Sequence, residues 1–343
     1  MRIILATAFV AFSATAFAQT DSSAYFLQKG LEEKGKGRLM ESYKAFDKAY
    51  TYNKNNKDVV TNLANTLFEL RRYPQAREMY LSMEKLGATD AATYKQLMLL
   101  SFNMRQFPDA IKYANLLKKA NPNEKVAYYI GKANYDNENL GEAIKYLDIA
   151  AKEDPSNAEI PYTVARSYAD MQNYKLAIPY FERAISLSPD NARWMYEIGL
   201  IYYAMNDDKN SLKYLLMAGE KGYRKDAEYM ENLATAYLNN GNLEQGIAIL
   251  KDALAKRPSD MGLLNSIAEA YYDAKKYDDA INSWDQVLTI DKTNAQALYM
   301  IGLSYQKKGD KDKGQALCDK AIEMDASLAK YKKKMEMPGM SGM

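Results

Sequence analysis

Histidine is missing from the 343 residues, and cysteine occurs once. The first absence excludes histidine triads, imidazole general bases and every histidine-containing zinc site. The single thiol excludes an internal disulfide framework and cysteine-clustered metal sites. Neither sign of charge is in surplus: 46 Lys and Arg face 44 Asp and Glu, a formal net charge of +2. Polyanion-binding grooves normally show as a basic excess, so no nucleic-acid partner is expected. After the N-terminal stretch no long uncharged apolar run occurs, so no later transmembrane segment is expected. What remains is a chain that is 48% hydrophobic, balanced in charge and rich in tyrosine, with 29 copies. That composition fits an ordered globular chain with ample core, as two domains or one long repeat array.

Residues 1–18 read as a cleaved signal peptide. Arg2 supplies the positive start, Ile3 to Phe12 the apolar stretch, and Ala16-Phe17-Ala18 a small-x-small cleavage site before Gln19. The apolar stretch is short for a membrane span, and no cysteine follows the cleavage site, so a lipoprotein signal does not fit. There is no Asn-x-Ser/Thr acceptor and the lone thiol is unpaired, which suits a bacterial periplasm better than a eukaryotic secretory route. An exported, periplasmic protein is the expectation.

Self-similarity organises the rest. A small residue recurs at Ser42, Ala76, Ala110, Ala143, Ala177, Ser211, Gly246, Ala280 and Gly314, spaced by 33 to 35 residues. A second small column lies twelve residues earlier, at Gly30, Ala64, Met98, Gly131, Ala165, Gly199, Ala234, Ala268 and Gly302; only Met98 departs from Gly or Ala. A third column follows the first by seven residues, as at Ala184 and Val287, and larger side chains such as Phe46, Phe181 and Trp284 sit between. Apolar residues at i, i+4 and i+7 share a helical face. Small residues opposite let two backbones approach, and the large one fills the space beside them. Each unit is therefore two antiparallel helices joined by a short turn. Turns show at Asn139-Leu140-Gly141, Asn240-Gly241-Asn242 and Lys308-Gly309-Asp310. Pro74 and Pro108 open second helices, while Pro122, Pro155, Pro189 and Pro258 close units.

This pattern resembles the tetratricopeptide repeat family, most closely around Trp194, Ile198-Gly199, Tyr202 and the segment Pro189 to Ala218. The family tyrosine of the first helix recurs at Tyr168, Tyr202, Tyr237, Tyr271 and Tyr305; units one to three carry Glu33, Leu67 and Ser101 there. The resemblance implies an all-α, right-handed superhelical solenoid of about nine helix-turn-helix units. They lie near 23–56, 57–90, 91–123, 124–157, 158–191, 192–225, 226–260, 261–294 and 295–327, giving a solenoid over 19–327. Residues 328–343 are expected to form a capping helix and a Met-rich tail. Two irregularities stand out. Pro179 falls inside a second helix, where it removes a donor. Unit six carries an extra residue around Gly219 and Gly222, read as a slightly longer loop; the two glycines leave a looser junction, a hinge between units 1–6 and 7–9, as the alternative.

No catalytic constellation holds up, and no enzyme activity or cofactor is expected. Ser304-x-x-Lys307 and Ser327-x-x-Lys330 match an SxxK pattern without its companion motifs. Asp136 to Leu147 fails as a calcium loop because Leu140 and Leu147 occupy ligand slots. Cys318 stands in a core column and reads as a small hydrophobe. Met335, Met337, Met340 and Met343 are a weak Cu(I) candidate set, thioethers being soft ligands; a loose tail is the plainer reading.

Proteins that this chain resembles take peptides on a concave surface lined by first helices. Here those helices carry a second stripe: Tyr128, Lys132 and Tyr135 in unit four, Tyr162 and Arg166 in unit five, Tyr196, Leu200 and Tyr203 in unit six. The spacing places each set on one face. Aromatic and arginine side chains dominate interface energetics. A partner segment of the cell envelope, with apolar anchors and some acidic groups, is expected there; the alternative is that these tyrosines only pack neighbouring helices. Thr61, Asn65, Lys95 and Leu99 do not reproduce the clamp by which some relatives hold chaperone tails. Two other functional readings are a metal- or stress-related accessory acting through the methionine tail, and an envelope assembly component that self-associates.

Overall fold

The computed structural model describes residues 22–331, so the leader and the four tail methionines lie outside the described residues. The described chain is all-helical, without a strand. It divides into two compact bodies at Leu187 and Ser188.

In the first body, α1 (22–35) pairs with α2 (Leu39–Tyr52) and α3 (Lys57–Glu69) with α4 (Tyr73–Lys85). α5 (Ala91–Asn103) pairs with α6 (Phe107–Ala120), α7 (Ala127–Asp136) with α8 (Leu140–Glu153), and α9 (Glu159–Asp170) with α10 (Tyr174–Leu187). In the second body, α11 (Ala192–Ala204) pairs with α12 (Asp208–Glu220) and α13 (Ala227–Asn239) with α14 (Leu243–Lys256). α15 (Met261–Asp273) pairs with α16 (Tyr277–Ile290), and α17 (Ala295–Lys308) with α18 (Lys311–Met324). Within each body, every second helix also packs on the first helix of the next hairpin. α10 runs unbroken through Pro179.

The small columns do the packing work expected of them. All nine residues of the column from Ser42 to Gly314 are buried. A methyl group added at Gly131 would stand 2.7 Å from Leu147 Cγ, and one at Gly302 would stand 2.7 Å from Cys318 Sγ. At these glycines helix one lies closer to helix two than a larger side chain permits. Ser42 uses its hydroxyl in the same contact, donating to the Gly30 carbonyl at 2.9 Å.

The turn inside each hairpin has a geometry that only three glycines announce. Gly37, Arg71, Arg105, Glu138, Gln172, Asn206, Gly241, Lys275 and Gly309 all have left-handed backbones, one per hairpin. The residue after each donates its N–H five residues back, from Arg38 to the Glu33 carbonyl (2.9 Å) through to Asp310 to the Tyr305 carbonyl (3.0 Å). This is the Schellman closure, which satisfies carbonyls the helix end would otherwise orphan. Side-chain oxygens of Asn56, Asp90, Asn191, Asp226, Asp260 and Asn294 cap the first helices that follow.

The longer junction after α12 is closed by specific contacts. Gly222 takes a left-handed turn (φ 88°), and the Tyr223 N–H closes onto the Ala218 carbonyl at 2.9 Å. The Tyr229 hydroxyl occupies the space a side chain at Gly219 would need, and it donates to the Leu215 carbonyl at 2.9 Å. The division between compact parts falls one hairpin earlier, at Leu187 and Ser188. At the far end, Leu328 is buried against Ala295, Tyr299, Cys318 and Ala321.

Candidate functional site

α7 and α9 are consecutive first helices of the first body, and their shared repeat columns set the site. Lys132 and Arg166 occupy one column, Asp136 and Asp170 another four residues on. On a helix that spacing brings each cation over its own acid. Lys132 Nζ lies 2.8 Å from Asp136 Oδ1 and 4.7 Å from the centre of the Tyr135 ring. Arg166 Nη2 lies 3.6 Å from Asp170 Oδ1. The Tyr135 hydroxyl reaches across to α9 and donates to Asp170 Oδ2 at 2.9 Å. Tyr135, Arg166 and Asp170 thus form one knot linking two hairpins.

The electrostatics follow from burial. The Tyr135 hydroxyl is pushed well up, first by burial, opposed by the Arg166 charge, and supported by the bond to Asp170. Burial likewise raises Tyr128 to about 12, with help from the Glu159 charge. Both rings stay neutral hydrogen-bonding groups across the physiological range. Tyr162 is half-buried and sets its ring edge-on to Phe181, centroids 6.0 Å apart. Lys132 and Arg166 are each matched by a carboxylate, so this face is close to neutral.

In the second body the sixth-hairpin residues separate. Tyr203 is exposed at 46% and Leu200 is half-buried. Tyr196 is a correction to the expected stripe: it is 6% exposed, stacked under Tyr223 at 4.3 Å. Its hydroxyl bonds Glu228 (3.2 Å) and Asn232 (2.8 Å), and burial raises it to about 12. Tyr223 reaches it from the longer loop after α12, which spacing along α11 could not reveal. Asp136 and Asp170 were also missed. The signal for them was the acid four residues after each stripe cation.

The remaining chemistry is quiet. Cys318 is buried at 3% exposure with its thiol 3.6 Å from the Tyr299 carbonyl. Ser304 is fully buried and donates to the Met300 carbonyl, so the first SxxK serine faces no substrate. Among the described residues, no group of three His, Cys, Asp or Glu could hold a metal ion. Among them too, no helix is long and apolar enough to cross a membrane.

Tetratricopeptide-repeat family models match residues 162–223, 268–309 and 295–328. The family model for subunit 3 of the anaphase-promoting complex, cyclosome, matches 103–184 and 208–287. The chain belongs to the tetratricopeptide repeat family. Solved structures of similar fold include the C-terminal part of a TPR repeat-containing protein from Cytophaga hutchinsonii, at 16% identity and a TM-score of 0.50. That match covers 80% of this chain and 99% of the other. A tetratricopeptide repeat protein from Parabacteroides merdae matches at 17% identity, covering 70% and 97%, with a TM-score of 0.44. YrrB, described as a TPR protein with an unusual peptide-binding site, matches at 21%, covering 56% and 100%, with a TM-score of 0.43. No curated protein matches the chain. The Cytophaga hutchinsonii likeness, at 16% identity, shows fold alone; the TPR architecture itself is that of a protein–protein interaction scaffold.

Proposed function

We propose that this TPR chain is an exported, non-enzymatic scaffold that holds an extended segment of a cell-envelope protein against its first helices. The leader pattern of residues 1–18 supports export, and the periplasm is the compartment it suits. The observation that carries the binding reading is the knot of Tyr135, Arg166 and Asp170, with Lys132 held between Tyr135 and Asp136. Long polar side chains normally lose rotamer freedom when they bind. Here that freedom is already spent within the fold, so a partner meets a fixed row of rings and hydrogen-bonding groups. Tyr128 and Tyr162 extend the row as half-buried rings. Because the cations are matched internally, recognition rests on aromatic contact and hydrogen bonds more than on net charge.

Site-specific photocrosslinking in the native host tests this. Probes at Tyr128, Tyr162 and Tyr203 are compared with a control at the exposed Lys213 on α12. A common partner recovered from Tyr128 and Tyr162 and absent from Lys213 is the expected result. Equal yield at Lys213, or none anywhere, would make the rings structural.

A further inference from the structure

The second body holds a cleft unlike the knot on α7 and α9. It lies between the first helices α13 and α15, has a volume of about 450 Å³, and opens to solvent. Clefts that hold ligands run from roughly 300 to 1,000 Å³. Leu238 and Leu243 form apolar wall on one side and Ala270 lies on the other. Glu269 and Asp273, one helical turn apart on α15, bring two carboxylates to the same space. Neither is ion-paired with a lysine or arginine among the described residues. Glu269 and Asp273 are both exposed at the mouth of the cleft, and partial desolvation together with the like charge of Asp273 holds the Glu269 carboxyl above its ordinary range, with no cation offsetting either. Asn239 and Asp273 are the last residues of α13 and α15, so two helix C-termini add partial negative charge to the same place.

We propose that this cleft takes a basic side chain, lysine or arginine, from a partner segment lying along the first helices. The proposal rests on the scaffold reading above and adds a chemical identity for one anchor. A lysine suits both halves of the cleft: its methylene stem lies against Leu238, Leu243 and Ala270 while its ammonium meets the two carboxylates. A metal ion suits it less, because two carboxylates fall short of the oxygen set a hard cation requires.

The test is fluorescence anisotropy with the full chain and an end-blocked, fluorescein-labelled peptide, Ser-Leu-Lys-Leu-Lys-Leu-Ser. The same peptide with glutamate in place of lysine is the charge control. Binding of the lysine peptide should weaken roughly tenfold in the double variant Glu269→Gln with Asp273→Asn. It should be unchanged in Asp47→Asn with Glu78→Gln, which removes the same charge from exposed positions of the first body. Melts followed by circular dichroism confirm that both variants fold. Absent binding, binding of the glutamate peptide, or equal weakening in the two double variants overturns the cleft. Competition by free spermidine at the peptide's own concentration overturns the partner-segment assignment. Crosslinks at Tyr128 and Tyr162 that survive a failed cleft would leave the scaffold reading standing, so the two fail separately.

Discussion

The first helices of the two bodies carry opposite electrostatic solutions on the same repeat columns. On α7 and α9, Lys132 and Arg166 are each answered by an acid four residues on, and Tyr135 ties one helix to the next. On α15 the corresponding columns hold Glu269 and Asp273, two acids with no cation between them. The helical frame is common to both. Gly131 against Leu147 and Gly302 against Cys318 show the same close approach in either body. The repeat therefore fixes how helices touch inside a hairpin and leaves the outward columns of the first helix unconstrained. Variation there changes what a face recognises at no cost to the core.

The largest expected effects test whether the two faces depend on local packing. Phe181 and Trp284 fill equivalent large columns at 0% and 1% exposure. Truncation of either to alanine should cost about 3–5 kcal/mol. Hydrogen exchange should then report lost protection first in α9 and α10 for Phe181→Ala, and first in α15 to α17 for Trp284→Ala. Uniform loss over all described helices in either variant would contradict a nearest-neighbour stack.

The next effect is read by pH. Tyr128 has an ordinary value of 10.0 and a folded value of about 12. A group raised by folding contributes its stability in full below the unfolded value, and loses it as pH climbs through the folded value. Stability should therefore fall between pH 10 and about 12, and Tyr128→Phe should remove about one proton's worth of that slope. Denaturant titrations across that window measure it; an unchanged slope would mean that the ring titrates as if exposed. Asp170→Ala sharpens the same point, since it removes the acceptor of Tyr135 and leaves Arg166 beside the ring. Tyr135 should then ionise at lower pH, read from ultraviolet absorbance, while Tyr196 in the second body stays where it is.

Much of the architecture was legible in sequence because it rests on residues that admit one explanation. A column of Ser, Ala and Gly every 34 residues or so, with Phe or Trp four residues later, has no economical reading besides close-packed helix pairs. The candidate faces were only half legible. Helical spacing placed Tyr128, Lys132, Tyr135, Tyr162 and Arg166 on a shared stripe, but spacing within a helix says nothing of what a loop lays over it. Tyr196 is covered by Tyr223 because the inserted residue after α12 gives that loop its reach. The loop also looked slack, since two glycines suggest freedom. Gly219 instead makes room for the Tyr229 hydroxyl, and Gly222 supplies a left-handed turn. The first requirement appears only once Tyr229 is placed; the second is local to the turn's backbone.

The hairpin turns were the least legible feature, and they yield the smallest test. Lys275 and Gly309 occupy the same left-handed position in consecutive hairpins, φ 60° and 104°, and the residue after each closes the same bond. A side chain in that conformation crowds the following carbonyl, a cost of roughly 1–2 kcal/mol that glycine escapes. Glycine in turn loses more freedom on folding, which returns part of the gain. Lys275→Gly should therefore stabilise the second body by about 0.5–1 kcal/mol, and Gly309→Ala should destabilise it by a similar amount. Gly309 lies outside the cleft of Glu269 and Asp273, so lysine-peptide affinity should not move with its melt; Lys275 directly follows Ala274 of the cleft wall, so Lys275→Gly is followed in stability and in peptide affinity together. A stability gain that came with weaker peptide binding would mean that the turn helps to shape the cleft, and the division between an invariant frame and a variable face would fail at that point.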